Sequence, residues 1–316
     1  MVRTALLLAL VACCVGAGAT RHGGGTPYAL VAGHGSLWLL TCDRGCSGEA
    51  REAAGRIERI DPHDGRVVGS TVVHRPHAIA VGAAGVYSLD FWRDRVRLLD
   101  PRSLRVVRSL KLRLPFRFTA RDNAFLPDAV VVGGGAIWVV TDRGALARAD
   151  FRLTRVAATL RLPFDAFGGL FAGPHAVWLG ESLAGIYRVD AQTNRVTARI
   201  KLTHFDATNP IRCGGSVLVL GAWTKNGALT NRFSLARVLR DRAEVVAPLP
   251  REPYAFTCAA GSLWVGQSGG STLERIEPST GKVLERRHAR IGAALAFAGG
   301  HLWTAFADGT VRQLGR

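Results

Sequence analysis

One short frame recurs along this chain and limits what it can fold into. AGHGSLWLLT (32–41) returns as VGGGAIWVVT (132–141), AGPHAVWLGE (172–181), CAAGSLWVGQ (258–267) and FAGGHLWTAF (297–306). VGAAGVYSLD (81–90) is the same frame with Tyr87 in the Trp place, and CGGSVLVLGAW (213–223) is a degenerate copy with Leu218 there. Taking Trp38, Tyr87, Trp138, Trp178, Leu218, Trp264 and Trp303 as marks, the steps are 49, 51, 40, 40, 46 and 39 residues. That makes seven units, and a fixed period of this size signals a repeat architecture.

A second pattern lies between the marks. RIDPHDGRVV (59–68), LLDPRSLRVV (98–107), RADFRLTRVA (148–157), RVDAQTNRVT (188–197), RVLRDRAEVV (237–246) and RIEPSTGKVL (275–284) share one pattern. Each reads as an extended stretch ending at an acidic residue, a turn, and a second extended stretch. Asp-Pro and Thr-Gly are turn formers, because Pro presets φ and Gly accepts positive φ. Flanks rich in Val, Ile and Leu suit strands. Each unit is therefore four short strands: A before the Gly-rich turn, B carrying the Trp, C running into the Asp, and D after it. Four antiparallel strands every forty or so residues is the arithmetic of a propeller blade. The expectation is an all-β, seven-bladed β-propeller spanning residues 26–316, with the Trp filling the wedge between blades. The last unit ends without a strand D, so a three-stranded blade, or a weak strand added by the segment near residues 16–25, is expected there.

Residues 1–25 read as a leader and linker. MVRTALLLALVACC has one Arg, an apolar run too short to span a membrane, and two cysteines. Leu10-Val11-Ala12-Cys13 resembles the bacterial lipobox, whose Cys becomes lipidated, and a competing cleavage site follows Ala17-Gly18-Ala19. Export is expected, with a lipid anchor at Cys13 ahead of free secretion, and membrane association only through that anchor. Cysteine usage fits an oxidising compartment. Cys42 and Cys46 flank a short loop and are assigned a disulfide. Cys213 and Cys258, at corresponding places in adjacent units, are either a second disulfide or buried thiols.

The formal net charge of +17 comes from 41 Lys and Arg against 24 Asp and Glu, and only four of the basic residues are Lys. The arginines are spread over every unit, with no compact basic run or base-stacking motif, so nucleic acid is disfavoured as a partner. The skew toward Arg fits a GC-rich bacterial genome.

Propellers bind ligands at the mouth of the central channel, where strand A begins and strand B ends. Those positions hold Tyr28, His77, Asp128, Ile211 and Tyr254 on the first count, and Thr41, Asp90, Thr141, Glu181 and Gln267 on the second. Asp90, Asp128 and Glu181 could offer oxygen ligands to Ca²⁺ or Mg²⁺, with His77 and Glu181 as candidate catalytic groups. The opposing expectation is that these groups are solvated or paired with arginines. Two loops, 113–126 and 222–233, also emerge toward the mouth and suit partner contact. GGSV, GSLW and QSGGS are Gly-Ser turns without the strand-into-helix context of a G-x-S-x-G elbow, and no Gly-rich turn leads into a helix as a phosphate-binding loop does.

Units of the form G-G-x-h-W-V…R-h-D-P-x-T-G-x-V, most clearly GSLWVGQSGGSTLERIEPSTGKV (261–283), resemble the bacterial YVTN and NHL-type propellers and the virginiamycin B lyase-like fold. That resemblance implies a seven-bladed ring and a wide choice of functions. The lyase's Glu and His catalytic set has no matching E-x-H triplet here. The expected function is thus an exported, non-catalytic, monomeric propeller binding a ligand, protein or cell-envelope partner at its top face. A divalent-metal-dependent lyase or hydrolase at the channel mouth is the alternative.

Overall fold

In the computed structural model of the chain, the described residues are 25–42, 54–74, 76–90, 93–114, 130–140, 144–162, 167–181, 185–240, 242–269 and 271–315. Within them, six antiparallel sheets of four strands and one of three follow one another in chain order. Blade 1 is Thr26–Gly33, Ser36–Cys42, Ala54–Ile60 and Val67–His74 (strands A to D). Blade 2 is Pro76–Gly82, Gly85–Asp90, Arg95–Leu99 and Val106–Lys111, and blade 3 is Val130–Gly133, Ala136–Val140, Ala145–Ala149 and Val156–Arg161. Blade 4 is Phe167–Ala172, Ala176–Glu181, Gly185–Asp190 and Val196–Lys201. Blade 5 is Phe205–Cys213, Ser216–Lys225, Ala228–Val238 and Ala243–Leu249, and blade 6 is Pro253–Ala259, Ser262–Gln267, Thr272–Ile276 and Val283–His288. Blade 7 has only Ala294–Ala298, His301–Ala305 and Val311–Leu314. Strand A of each blade contacts strand A of the next, and blade 1 contacts blade 7, so the ring is closed.

The core is divided as the ring is. Seven apolar clusters occur among the described residues, one for each wedge between neighbouring blades. Trp38, Trp138 and Tyr87 are fully buried in three of them. A buried Trp removes about 200 Å² from water, which contributes on the order of 5 kcal/mol. The indole nitrogens of Trp38 and Trp138 donate to Gly33 O and Gly133 O, capping the end of their own strand A. The small-residue turns before Trp38 and Trp138 form because both central residues are left-handed: His34 and Gly35, or Gly134 and Gly135, have φ of 50° and 69°, or 59° and 75°. This is the two-residue hairpin geometry that matches strand twist.

The Arg of the second pattern has a place in this packing. Registers set Trp38 opposite Arg59, Trp138 opposite Arg148, Trp178 opposite Arg188, Leu218 opposite Arg237 and Trp264 opposite Arg275. The guanidinium of Arg148 lies 5.6 Å from the Trp138 ring and that of Arg188 5.7 Å from Trp178. From there the Arg reaches the C–D turn of the next blade. Arg59 Nη1 donates to Pro101 O at 2.8 Å, Arg148 Nη1 to Asn194 Oδ1 at 3.2 Å, and Arg237 Nη1 to Ser279 O at 2.7 Å. Blade 2 has Leu98 in the Arg place, opposite Tyr87. There the Tyr87 hydroxyl itself donates to Phe151 O at 2.8 Å, the carbonyl equivalent to that of Pro101. Arg59, Arg148 and Arg237 are therefore interblade clasps, a role the genomic reading of the Arg excess does not contain, while Arg188 and Arg275 bond Thr197 and Ser262 of their own blades.

The acidic residue closes its own turn. Asp100 accepts from the backbone of Arg102 and Ser103, and Asp190 from that of Gln192 and Thr193. Hydrogen bonds from Ser103 and Thr193 hold these carboxyls below the usual range.

One C–D turn departs from the shared pattern in length. Six residues separate paired positions in five blades, as between Ile60 and Val67 or Ile276 and Val283. In blade 5 the pair is Val238 with Ala243, leaving four, and Leu239 N donates to Arg242 O. The signal was the missing acidic residue: Leu239 stands where Asp61, Asp100, Asp150, Asp190 and Glu277 stand.

Blade 7 lacks strand D among the described residues, yet its seam with blade 1 uses the same contacts. A side chain at Gly65 would meet the Trp303 ring at 3.1 Å, and one at Gly299 would meet Pro62 O at 2.9 Å. Blades 5 and 6 are also joined covalently, by a disulfide between Cys213 and Cys258 with Cα atoms 5.4 Å apart. Of the two readings of this pair, the bond is the one present. Cys42 is disulfide-bonded too, and its expected partner Cys46 lies outside the described residues.

Candidate functional site

The channel mouth is set by the start of strand A and the end of strand B, and the register ties the two. Thr41 pairs with Pro27, Asp90 with Pro76, Glu181 with Phe167, Gly221 with Ala207 and Gln267 with Pro253. The residue after each of these strand-A partners is a β-bulge: Tyr28, His77, Gly168, Thr208 and Tyr254. A bulge leaves one residue outside the ladder and re-aims its side chain. In blade 5 the bulged residue is Thr208, three positions before the expected Ile211.

Strand alternation decides where the polar residues of strand B point. Leu37 and Leu39 lie in the cluster shared with blade 7, and Thr41 continues that face. Val86 lies in the cluster shared with blade 1, and Asp90 continues its face. Val177 and Leu179 face blade 3, as Glu181 does, and Leu263 and Val265 face blade 5, as Gln267 does. All four polar side chains thus enter wedges, and all four are buried. Their alternation puts Asp90 and Glu181 in different wedges.

Each has its own partner. Asp90, 0 % exposed, binds Arg97 at 3.0 Å and Arg93 at 4.0 Å, and it accepts from the Arg93 backbone. Glu181 binds Arg199 at 3.1 Å. Gln267 Nε2 donates to Glu274 Oε2 at 2.6 Å, while Arg286 donates to the other oxygen through Nη2 and Nε. Thr41 Oγ1 donates to Arg56 O. Buried carboxylates persist when a cation and hydrogen bonds balance their desolvation, which the arginines supply. Among the described residues no group of three or more His, Cys, Asp or Glu side chains is placed to hold a metal ion. Asp128 and Thr141 lie outside the described residues, as do Phe116, Phe118, Phe125 and Cys13. Of the bulged residues, Tyr28 is half-buried and its phenol is pushed up by burial, His77 is half-buried and hydrogen-bonded or otherwise engaged, and Tyr254 is 45 % exposed.

Blade 5 differs at this face. Its strands B and C have 10 and 11 residues, against 6 and 6 in blade 4. They run past the rim level at Gly221 to a turn at Asn226 and Gly227, both left-handed, with Lys225 paired to Ala228. Four residues beyond the rim place the turn about 13 Å above it. Gly221 is required at the base, since a Cβ there would meet Asp206 O at 2.1 Å. Trp223 fixes the stem: its Nε1 donates to Ser234 Oγ at 2.9 Å, its ring meets Phe205 edge-on at 5.7 Å, and Arg232 lies 5.6 Å from it. The tip is open, with Leu229 56 % exposed and Lys225, Asn226, Gly227 and Ala228 exposed beside it. The 222–233 segment, expected as a loop, is a standing hairpin. An Asn-Gly between two extended runs is its sequence signal.

No family model matches the chain, and no curated protein matches it. Solved structures do. Hydrazine Synthase from Kuenenia stuttgartiensis superposes with a TM-score of 0.73 at 11% identity, covering 96% of this chain and 99% of that one. The β-propeller domain of Cps50 (Swd1) from Myceliophteria thermophila gives 0.66 at 10% identity, covering 94% and 98%. At such identities the likeness is one of fold.

Proposed function

We propose that this chain is an exported, non-catalytic propeller that holds a protein or cell-envelope partner at its top face, with the blade 5 hairpin as the gripping element. The observation that carries the reading is the hairpin itself. An ordered β-ribbon standing above the rim, anchored by Trp223 and ending in the exposed Leu229, has no role in closing the ring. Exposed apolar residues on a rigid stem are the kind of contact that gives interface energy. Lys225 and Arg232 flank Leu229 with no acidic residue in 222–233, and the whole chain carries +17, so the favoured partner surface is acidic with an apolar spot. The disulfide between Cys213 and Cys258 suggests an oxidising, exported environment. In this reading Cys13 carries the lipid that keeps the monomeric ring at the cell surface. The carboxylates of the mouth stabilise wedges and do no chemistry.

Photo-crosslinking in expressing cells tests it. A photoreactive residue at Leu229 should give one discrete adduct, while the same residue at Val107, exposed on the outer strand of blade 2, should give none. Equal labelling from both positions, or no adduct from Leu229, would overturn the reading.

A further inference from the structure

On the opposite face, where the A–B and C–D turns lie, the wedge between blades 4 and 5 is open. A cavity of about 660 Å³ there is lined by Trp178, Arg188, Ser216, Val217, Arg237 and Arg240, among others. Its cause is the short turn of blade 5. In other wedges the next blade's six-residue turn comes down over the Trp and offers an acceptor to the Arg, as Pro101 O does for Arg59. Blade 5 has two residues fewer, and Arg188 is left over the Trp178 ring with Thr197 Oγ1 at 3.3 Å as its side-chain partner. The wedge between blades 6 and 7, where no C–D turn comes in among the described residues, is covered instead by Arg287. Its guanidinium lies 5.4 Å from the Trp264 ring and Nη1 donates to Gly315 O at 2.7 Å.

We propose that the blade 4–5 cleft is a binding site for a small organic anion, with a phosphate or carboxylate head held by Arg188 and Arg240 and a flat apolar body lying against the Trp178–Arg188 pair and Val217. The volume is that of small-molecule sites. Among the described residues no acidic side chain lines the cleft, and Arg240 is exposed at its edge. Arg237 contributes field more than contact, because Glu244 and Ser279 O already hold it. Asp190, two residues from Arg188, has its carboxylate taken by Gln192 and Thr193. A guanidinium fork matches both oxyanions in two-pronged hydrogen bonding, and its plane stacks on rings.

Isothermal titration of the whole protein with phenyl phosphate, benzoate and inorganic phosphate, at physiological ionic strength, is the test. One site per chain is expected for at least one aromatic anion, and which of the two binds identifies the head. Inorganic phosphate should bind at least about tenfold more weakly than phenyl phosphate if that ester is the one bound. R188Q/R240Q should weaken binding about tenfold or more. A second variant keeps the fold and fills the cleft: residues 239–242 replaced by the six-residue turn 277–282 of blade 6 should abolish binding without lowering Tm. No binding of either aromatic anion to the native protein, or binding that survives the turn replacement, overturns the site. The top-face reading stands or falls separately, since these changes leave the hairpin untouched.

Discussion

The wedges between blades 1 and 2 and between blades 4 and 5 are built from the same parts. Both set a Trp on strand B opposite an Arg on strand C, and both pack that pair toward the next blade. In the first, the turn of blade 2 closes over Trp38, which is fully buried, and accepts from Arg59. In the second, Trp178 floors a cavity and Arg188 keeps a donor-rich edge turned to it. The difference is a loss of two turn residues in blade 5. A repeat protein can thus make a pocket by subtraction, without gaining any recognisable motif.

The most severe challenge to that comparison is to remove each Trp in turn. Trp38→Ala should cost about 3–5 kcal/mol, as a large void in a packed wedge does. Trp178→Ala should cost clearly less, because its wedge already admits solvent; chemical denaturation of both variants measures the gap, and equal losses would break the contrast. Next in size is the tie on the far side of blade 5. Reducing or removing the Cys213–Cys258 bond, which closes a loop of 45 residues, should cost up to about 4 kcal/mol. Loss of that tie should leave blade 5 the first to show amide exchange, which would be seen by mass spectrometry.

Smaller effects sharpen the closed wedge. Tyr87→Phe removes the hydroxyl that replaces the Arg clasp in blade 2 and should cost about 1 kcal/mol at neutral pH. Burial first, and the Asp150 charge second, push the Tyr87 phenol up to about 12. Its folded pKa therefore exceeds its unfolded value near 10, so its contribution is complete below about pH 10 and is lost as pH rises toward 12. Alkaline unfolding of Tyr87→Phe should be correspondingly less steep. The smallest effect belongs to the turn acids. The Asp100 carboxyl is depressed, so its contribution is present above about pH 4 and lost as pH falls through its lower folded value. Asp100→Asn should flatten the acid limb of a Tm against pH series, whereas Leu239→Asp in blade 5, where the turn is too short to be capped this way, should not steepen it.

Much of the ring was legible because each of its parts is local. The Trp frame, the Asp-Pro turns and the step of some forty residues define blades without reference to anything distant. The channel mouth was legible only as a set of positions. Asp90, Glu181 and Gln267 end strand B, Thr41 stands one residue before its end, and Tyr28, His77 and Tyr254 fall at bulges near the start of strand A. Which way a side chain faces depends on parity against the neighbouring blade, and which arginine meets which acid depends on packing; neither is written in the repeat. The short turn of blade 5 was not legible in RVLRDRAEVV, which carries the letters of the shared pattern although Leu239 cannot cap a turn as an Asp does.

The bond between Cys213 and Cys258 joins two inner strands, and Cys213 is 2 % exposed. Its partner Cys258 is half-buried, so in a finished ring an oxidant meets the pair from one sulfur only. The bond is thus a seam that can be closed from a single side, and reduced chain allowed to fold first should regain it more slowly than an exposed thiol pair would, at a rate set by access to Cys258.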